Sequence, residues 1–188
     1  MAEVGDANPR GIPVAPFVED VESFVNSRAE IEPNLKKFQE MIAKYQFMEM
    51  NTQRRAAGLN DKIPDIRKTL ETVQFLQARK GSKAFETTFE LNDTLFAKAQ
   101  IPTGTDEVYL WLGANVMLAY PIDEAMELLE GKLTAAEESL SNCEEDMDFL
   151  RQQITTLEVN TARLYNYEVT LKRRDRAEAE EEQRKEKN

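Results

Sequence analysis

Few side chains in this sequence can carry covalent or proton-transfer chemistry. The 188 residues contain no histidine. Imidazole general bases, Ser-His-Asp and Cys-His nucleophilic systems, and histidine metal sites are therefore excluded. The single thiol, Cys143, rules out an intrachain disulfide or a two-cysteine metal knuckle, and it fits a reducing compartment. The densest group of possible metal ligands is Glu144-Glu145-Asp146 with Asp148. Successive helical residues point in different directions and no oxygen-rich loop accompanies them. A solvated acidic face is thus expected there, not a divalent-cation site. No glycine-rich phosphate loop is present. These residues predict a protein that is not an enzyme and holds neither cofactor nor metal.

The chain has 35 acidic and 24 basic side chains, a formal net charge of −11. That argues against nucleic acid or an anionic membrane surface as partners. No stretch approaches the roughly 18 apolar residues of a membrane span. Residues 1–16 hold Gly5, Pro9, Gly11, Pro13 and Pro16, lack a basic-then-apolar signal pattern, and read as a disordered leader. Asn92-Asp93-Thr94 matches a glycosylation sequon, and chance explains it in a chain without a secretory signal.

The elements that organise the chain follow from its apolar spacing. From Ile31 through Leu35, Phe38, Ile42 and Tyr45 to Leu70 and Val73, apolar residues recur alternately three and four positions apart, broken only at Glu49 and Thr52. The same spacing runs from Ile122 to Leu171. A 3.5-residue period held over about six heptads predicts a coiled coil. The first long helix is placed at 33–80, starting at Pro33, where proline costs no hydrogen bond. Pro64 predicts a kink or local break, and Gly81 the end. The second helix is placed at 122–171, and Phe17 to Val25 form a short separate helix. Residues 172–188 form a charged tail, frayed or disordered.

Between the helices the period changes to two. Phe85, Thr87, Phe89 and Leu91 alternate with polar residues, as do Leu95, Ala97, Ala99 and Ile101 after the Asn92-Asp93 turn. Residues 108–112 and 116–120 form a second pair around Gly113-Ala114-Asn115. Residues 83–120 therefore hold two β-hairpins. The fold class is α+β, mostly α: a long antiparallel coiled-coil hairpin joined by two β-hairpins, with both termini at the open end. Charge supports the helix pairing. Residues 122–150 hold ten acids and one base, whereas residues 51–80 hold seven bases and three acids, and flanking charges set coiled-coil register.

The hairpins imply partners. Isolated hairpins are marginal in water, and open strand edges attract other strands. Phe85, Phe89, Leu95, Phe96, Leu110, Trp111, Leu112, Val116, Met117 and Leu118 are more apolar surface than a two-helix stalk covers. They are the candidate assembly residues, whose strands would close a sheet with strands of other subunits.

Several segments of residues 12–171 resemble α-class prefoldin subunits. They are Phe17-Val-Glu-Asp-Val-Glu-Ser-Phe24, Lys44-Tyr-Gln-Phe-Met-Glu49, Lys62-Ile-Pro-Asp-Ile-Arg-Lys-Thr-Leu70, Trp111-Leu-Gly-Ala-Asn-Val-Met-Leu118, Glu144-Glu-Asp-Met-Asp-Phe-Leu-Arg151 and Ala162-Arg-Leu-Tyr-Asn166. The run from Trp111 is the most specific. The resemblance implies one α-class subunit in a heterohexamer with one other α-class and four β-class subunits, whose β-hairpins complete an oligomeric β-barrel platform. It implies capture of unfolded actin and tubulin at coiled-coil tips, without nucleotide, and delivery to the cytosolic chaperonin. It places the chain in the cytoplasm, with the nucleus also open. At the tip, surplus apolar residues give adaptable contacts. Phe17, Val18, Val21, Phe24, Val25, Leu164, Tyr165 and Tyr167 are the candidate client-binding residues. The alternative is a coiled-coil scaffold that binds one folded partner.

Overall fold

The 3.5-residue repeat builds both long helices. In the computed structural model, which describes residues 8–25 and 27–186, every repeat position from Ile31 to Val73 and from Ile122 to Leu171 is buried or half-buried. The elements in chain order are α1 (Val21–Phe24), a 3₁₀ turn (Arg28–Glu30), α2 (Ile31–Ala78), β1 (Phe85–Asn92), β2 (Leu95–Ile101), β3 (Glu107–Gly113), β4 (Val116–Pro121) and α3 (Ile122–Glu186). No helix among the described residues is long and apolar enough to cross a membrane.

The chain divides into two compact units, one of Met1–Ala56 with Asn142–Asn188, the other of Ala57–Ser141. In the first unit Ile31, Phe38 and Tyr45 of α2 meet Leu150, Ile154, Leu157 and Leu164 of α3. Arg151 reaches Glu49 across this pair at 2.9 Å. In the second unit Leu70 and Val73 of α2 meet Ile122, Ala125 and Leu129 of α3, with Leu110 of β3 against them. Here Arg67 pairs with Glu137 at 2.6 Å. In both units the pairing is antiparallel. The opposed charge of these helix stretches meets at Arg67–Glu137, an exposed pair of small energetic weight.

Helix ends differ from the sequence expectation for local reasons. The 3₁₀ turn leads straight into α2, which starts two residues before Pro33. Pro33 then falls in the first turn, whose N–H groups have no intrahelical partner to lose. Helix α2 passes Pro64 without interruption, so the local break expected there is absent. The tail expected to fray continues α3 as far as Glu186. Salt bridges one turn apart, Lys172 to Glu168 and Arg174 to Glu178, support a helix that has no core to face. Arg28 of the 3₁₀ turn also pairs with Asp175 in this extension. The expected helix at 17–25 shrinks to Val21–Phe24, capped by the Asp20 carboxylate, which accepts from the Glu22 N–H at 3.1 Å.

The strands form two separate two-stranded antiparallel sheets, β1–β2 and β3–β4. Phe85 lies opposite Ile101 and Phe89 opposite Ala97 in the first; Trp111 lies opposite Met117 in the second. The β3–β4 turn holds Ala114 at φ 49° and Asn115 at φ 59°. Two positive φ values mark the hairpin turn whose twist matches the strands, and asparagine tolerates that region well.

Removing a side chain from the centre of the helix pair should cost far more than removing its neighbour. Leu157 is fully buried, whereas Val159 is exposed. Leu157→Ala is expected to destabilise by about 2–5 kcal/mol and Val159→Ala by about 0.5 kcal/mol or less, read by urea unfolding followed by circular dichroism.

Candidate interaction surfaces

Residues 8–20, most of them in the stretch expected to be a disordered leader, lie along α3 as a strap; residues 1–7 fall outside the described residues. Ile12, Ala15 and Val18 are buried in the core of the first unit. The Ala15 N–H donates to Gln153 Oε1 at 2.8 Å, and the Val18 N–H donates to Asn160 Oδ1 at 3.0 Å. Three residues of strap thus advance as far as seven of helix. The lengths agree: three extended residues rise about 10 Å and seven helical ones about 10.5 Å. The strap therefore keeps step with the heptad, one apolar residue and one amide contact per repeat.

Further contacts close on the strap's carbonyls. Asn160 Nδ2 donates to Pro16 O at 2.6 Å, Arg163 to Val18 O at 2.7 Å, and Tyr45 Oη to Pro13 O at 2.9 Å. Asn160 is 0% exposed. A buried amide is tolerable only when its polar atoms are bonded, and the strap supplies both partners. Burial pushes the Tyr45 phenol pKa up. At the other end Arg10 bonds Asp146 at 2.7 Å, Glu145 at 2.9 Å and Asn142 at 2.8 Å, while Asn8 Nδ2 also donates to Asp146. The hydrogen bonds that Arg10 donates to Asp146 and Glu145 push its pKa further up. Part of the acidic run read as a solvated face is thus the anchor of the strap. Cys143 is buried.

The strand surfaces divide by face. In β3, Val108 and Leu110 turn toward the helices, and Leu110 is only 8% exposed. Tyr109 and Trp111 alternate with them and stand 69% and 60% exposed. Leu112, Val116, Met117 and Leu118 are exposed, as are Phe89, Leu95 and Phe96 of the first hairpin. Two expected assembly residues have internal duties instead. Leu110 belongs to the chain's own core, and Phe85 packs edge-on against Phe75 of α2, with ring centroids 5.6 Å apart. The Arg79 guanidinium lies 4.8 Å and 5.0 Å from those two ring centroids and fixes the joint. Lys80 anchors the base of the second hairpin through Asp106 at 2.9 Å, and that pairing pushes its pKa up. Tyr109 and Leu91 are exposed residues that sequence reasoning missed. Period two could have found Tyr109, two positions from Trp111 on the same strand.

The candidate client residues also separate. Val18, Val25 and Leu164 are buried in the core of the first unit, so they face the chain itself. Val21 and Tyr167 are half-buried against the same core. Phe17, Phe24 and Tyr165 are exposed. Phe17 lies under the Arg163 guanidinium, 5.1 Å from its ring centroid, and Phe24 stacks on Phe38 at 6.0 Å. Tyr165 borders a groove with Leu35 and Ile42.

With this geometry in hand, comparison with known proteins is decisive. The prefoldin subunit family profile matches residues 45–167. The chain belongs to the prefoldin family. It is 66% identical over 170 residues to prefoldin subunit 3 of Elsinoe fawcettii, covering 90% of this chain and 86% of that one. It is 57% identical to a probable prefoldin subunit 3 of Schizosaccharomyces pombe, covering 91% of this chain and 98% of the other. Human prefoldin subunit 3 is 49% identical, covering 88% of this chain and 85% of its own. A chain of a filamentous PFD from Methanocaldococcus jannaschii, solved by cryo-EM, shares the fold. It has a TM-score of 0.51 at 16% identity and covers 65% of this chain and 98% of its own. The protein is thus a prefoldin co-chaperone component and not an enzyme, and other prefoldin subunits are its partners. The strap lies outside the matched residues 45–167, although Tyr45, Gln153, Asn160 and Arg163, which hold it, lie inside.

The buried tyrosine gives a test of strap packing. A raised phenol pKa means that neutral Tyr45 stabilises the fold fully below the ordinary phenol value near 10, and that this is lost as pH rises through the folded value. Spectrophotometric titration is expected to show a tyrosine component ionising above the ordinary range, and Tyr45→Phe to remove it.

Proposed function

We propose that this chain is an α-class subunit of a hexameric, nucleotide-independent holdase. Its partners are one other α-class and four β-class subunits. The hairpins join those of the sister subunits in a β-barrel platform, while the helical pairs hold unfolded clients such as nascent actin and tubulin for the cytosolic chaperonin. The site of action is the cytoplasm, with the nucleus as a further location.

The observation that carries this reading is the state of the two hairpins. Each is a two-stranded sheet with no third strand on either edge among the described residues. Each also presents large apolar side chains outward: Phe89, Leu91, Leu95 and Phe96 in one, Tyr109, Trp111, Met117 and Leu118 in the other. Such hairpins are marginal alone, and joining strands from other subunits satisfies both the edges and the apolar face. Client capture is supported by Phe17, Phe24 and Tyr165, which stay exposed on a unit whose core is already complete without them.

Two experiments separate assembly from capture. Mixing the chain with its sister subunits and measuring the mass of the product should give a hexamer. Trp111→Glu should abolish it while leaving helix content by circular dichroism unchanged; a hexamer that forms normally would place Trp111 outside the interface. Phe17→Ser, Phe24→Ser and Tyr165→Ser combined should leave assembly intact and reduce suppression of actin aggregation by about tenfold, equivalent to about 1.4 kcal/mol of lost contact. Unaltered suppression would remove these three from the capture surface.

A further inference from the structure

Much of what holds the strap does not depend on its sequence. Six of its hydrogen bonds to the helices are to main-chain atoms: the N–H of Ala15 and Val18, and the carbonyls of Pro13, Pro16, Val18 and Glu19. Every polypeptide carries such groups. The side chains that receive them are Tyr45, Gln153, Asn160 and Arg163, arms that act on an extended chain as a sheet edge does in strand addition. The demand on the strap's own side chains is small. An apolar residue is buried at every third position, Ile12, Ala15 and Val18, while Pro13, Pro16 and Phe17 between them are exposed. Among the described residues, only three strap side chains meet polar groups of α3: Asn8 and Arg10 at one end, and Phe17, whose ring lies under the Arg163 guanidinium.

We propose that the groove beside α3, lined by Tyr45, Gln153, Asn160 and Arg163, is a binding site for extended polypeptide that the chain's own residues 12–18 occupy at rest. The incoming ligand is a stretch of unfolded protein with a small or apolar residue at every third position. The proposal deepens the reading of this chain as a handler of unfolded protein, and rests on it. The strap acts as an internal competitor. It is tethered, so its effective concentration is on the order of millimolar, and a foreign segment binds only in proportion to the strap's absence. Arg10 against Asp146 and Glu145 is the latch that sets that proportion. When the strap leaves, Gln153 and Asn160 meet water or the incoming chain, so the exchange strands no buried polar group.

The test uses the full chain and a fluorescein-labelled synthetic peptide of thirteen residues, with valine at every third position and serine or glycine elsewhere. A control peptide has the same composition with its valines clustered. Arg10→Glu with Ile12→Asp releases the strap without touching the groove. This variant should bind the spaced peptide about tenfold more tightly than the unaltered chain by fluorescence anisotropy, with no gain for the control. Adding Gln153→Ala and Asn160→Ala should remove the gain. In the unaltered chain, saturating peptide should speed hydrogen exchange at the Ala15 and Val18 amides, a readout that requires no variant to fold. Equal binding with the strap released, a gain that survives loss of Gln153 and Asn160, or unchanged exchange would each overturn the proposal. A hexamer that still suppresses aggregation in those cases keeps the chaperone reading and rejects the groove alone. Groove binding by a chain that never assembles with sister subunits rejects the chaperone reading instead.

Discussion

The apolar seam between α2 and α3 is the constraint to which the rest of the structure answers. A 3.5-residue repeat buries one narrow line of side chains between two helices and leaves the flanks of that line open. A two-helix pair is therefore an incomplete core. Each unit completes it differently. In one, Ile12, Ala15 and Val18 of the strap fill the flank beside Leu150, Ile154 and Leu157. In the other, Leu110 of β3 settles on Leu70, Val73 and Leu129, with Val108 and Tyr120 beside it. The third layer is an extended segment in both cases, since an extended chain is the thinnest element that can cover a groove between helices.

An extended third layer brings its own difficulty, because its main chain has polar groups that no helix backbone can pair. The hairpin solves this by pairing with itself. Among the described residues the strap has no neighbouring strand, so Gln153 and Asn160, seven residues apart on α3, supply main-chain hydrogen bonds, while Asp146, seven residues before Gln153, holds the side chains of Asn8 and Arg10. A fully buried asparagine would be costly in a seam with only leucines around it. Here it is the counterpart of an equally needy backbone, and each satisfies the other.

This explains which parts of the fold were legible in the sequence. The seam was read correctly at every position, Glu49 and Thr52 included, because one repeat runs through it and one shift of phase would expose it all. The strap was not read, because Gly11, Pro13 and Pro16 suggest disorder by composition, whereas its order comes from a period of three that has meaning only against a helical period of seven. Asp146, Gln153 and Asn160 did carry that signal as a polar stripe beside the seam. The hairpins were read as elements, but not by face: Leu110 and Trp111 are adjacent and equally apolar, yet alternation sends one inward and the other outward. The end of the apolar repeat predicts a frayed or disordered tail, while charge pairs one turn apart carry the helix on.

Two kinds of apolar surface follow from the same shortage of core, and they differ in how they are controlled. The outer faces of the hairpins are covered by nothing among the described residues, and Trp111 and Tyr109 stand exposed to water. The flank beside Asn160 is covered by the chain itself, through a segment anchored at Arg10 by charge and at Ile12, Ala15 and Val18 by apolar contact. Charge and apolar contact respond to different conditions, since salt screens the former and leaves the latter intact. A surface closed by two such unlike forces can be loosened at its charged end without loss of the seam beneath it. In a chain of net charge −11, Arg10 is the charged end of that closure, 2.7 Å from Asp146 and 2.9 Å from Glu145.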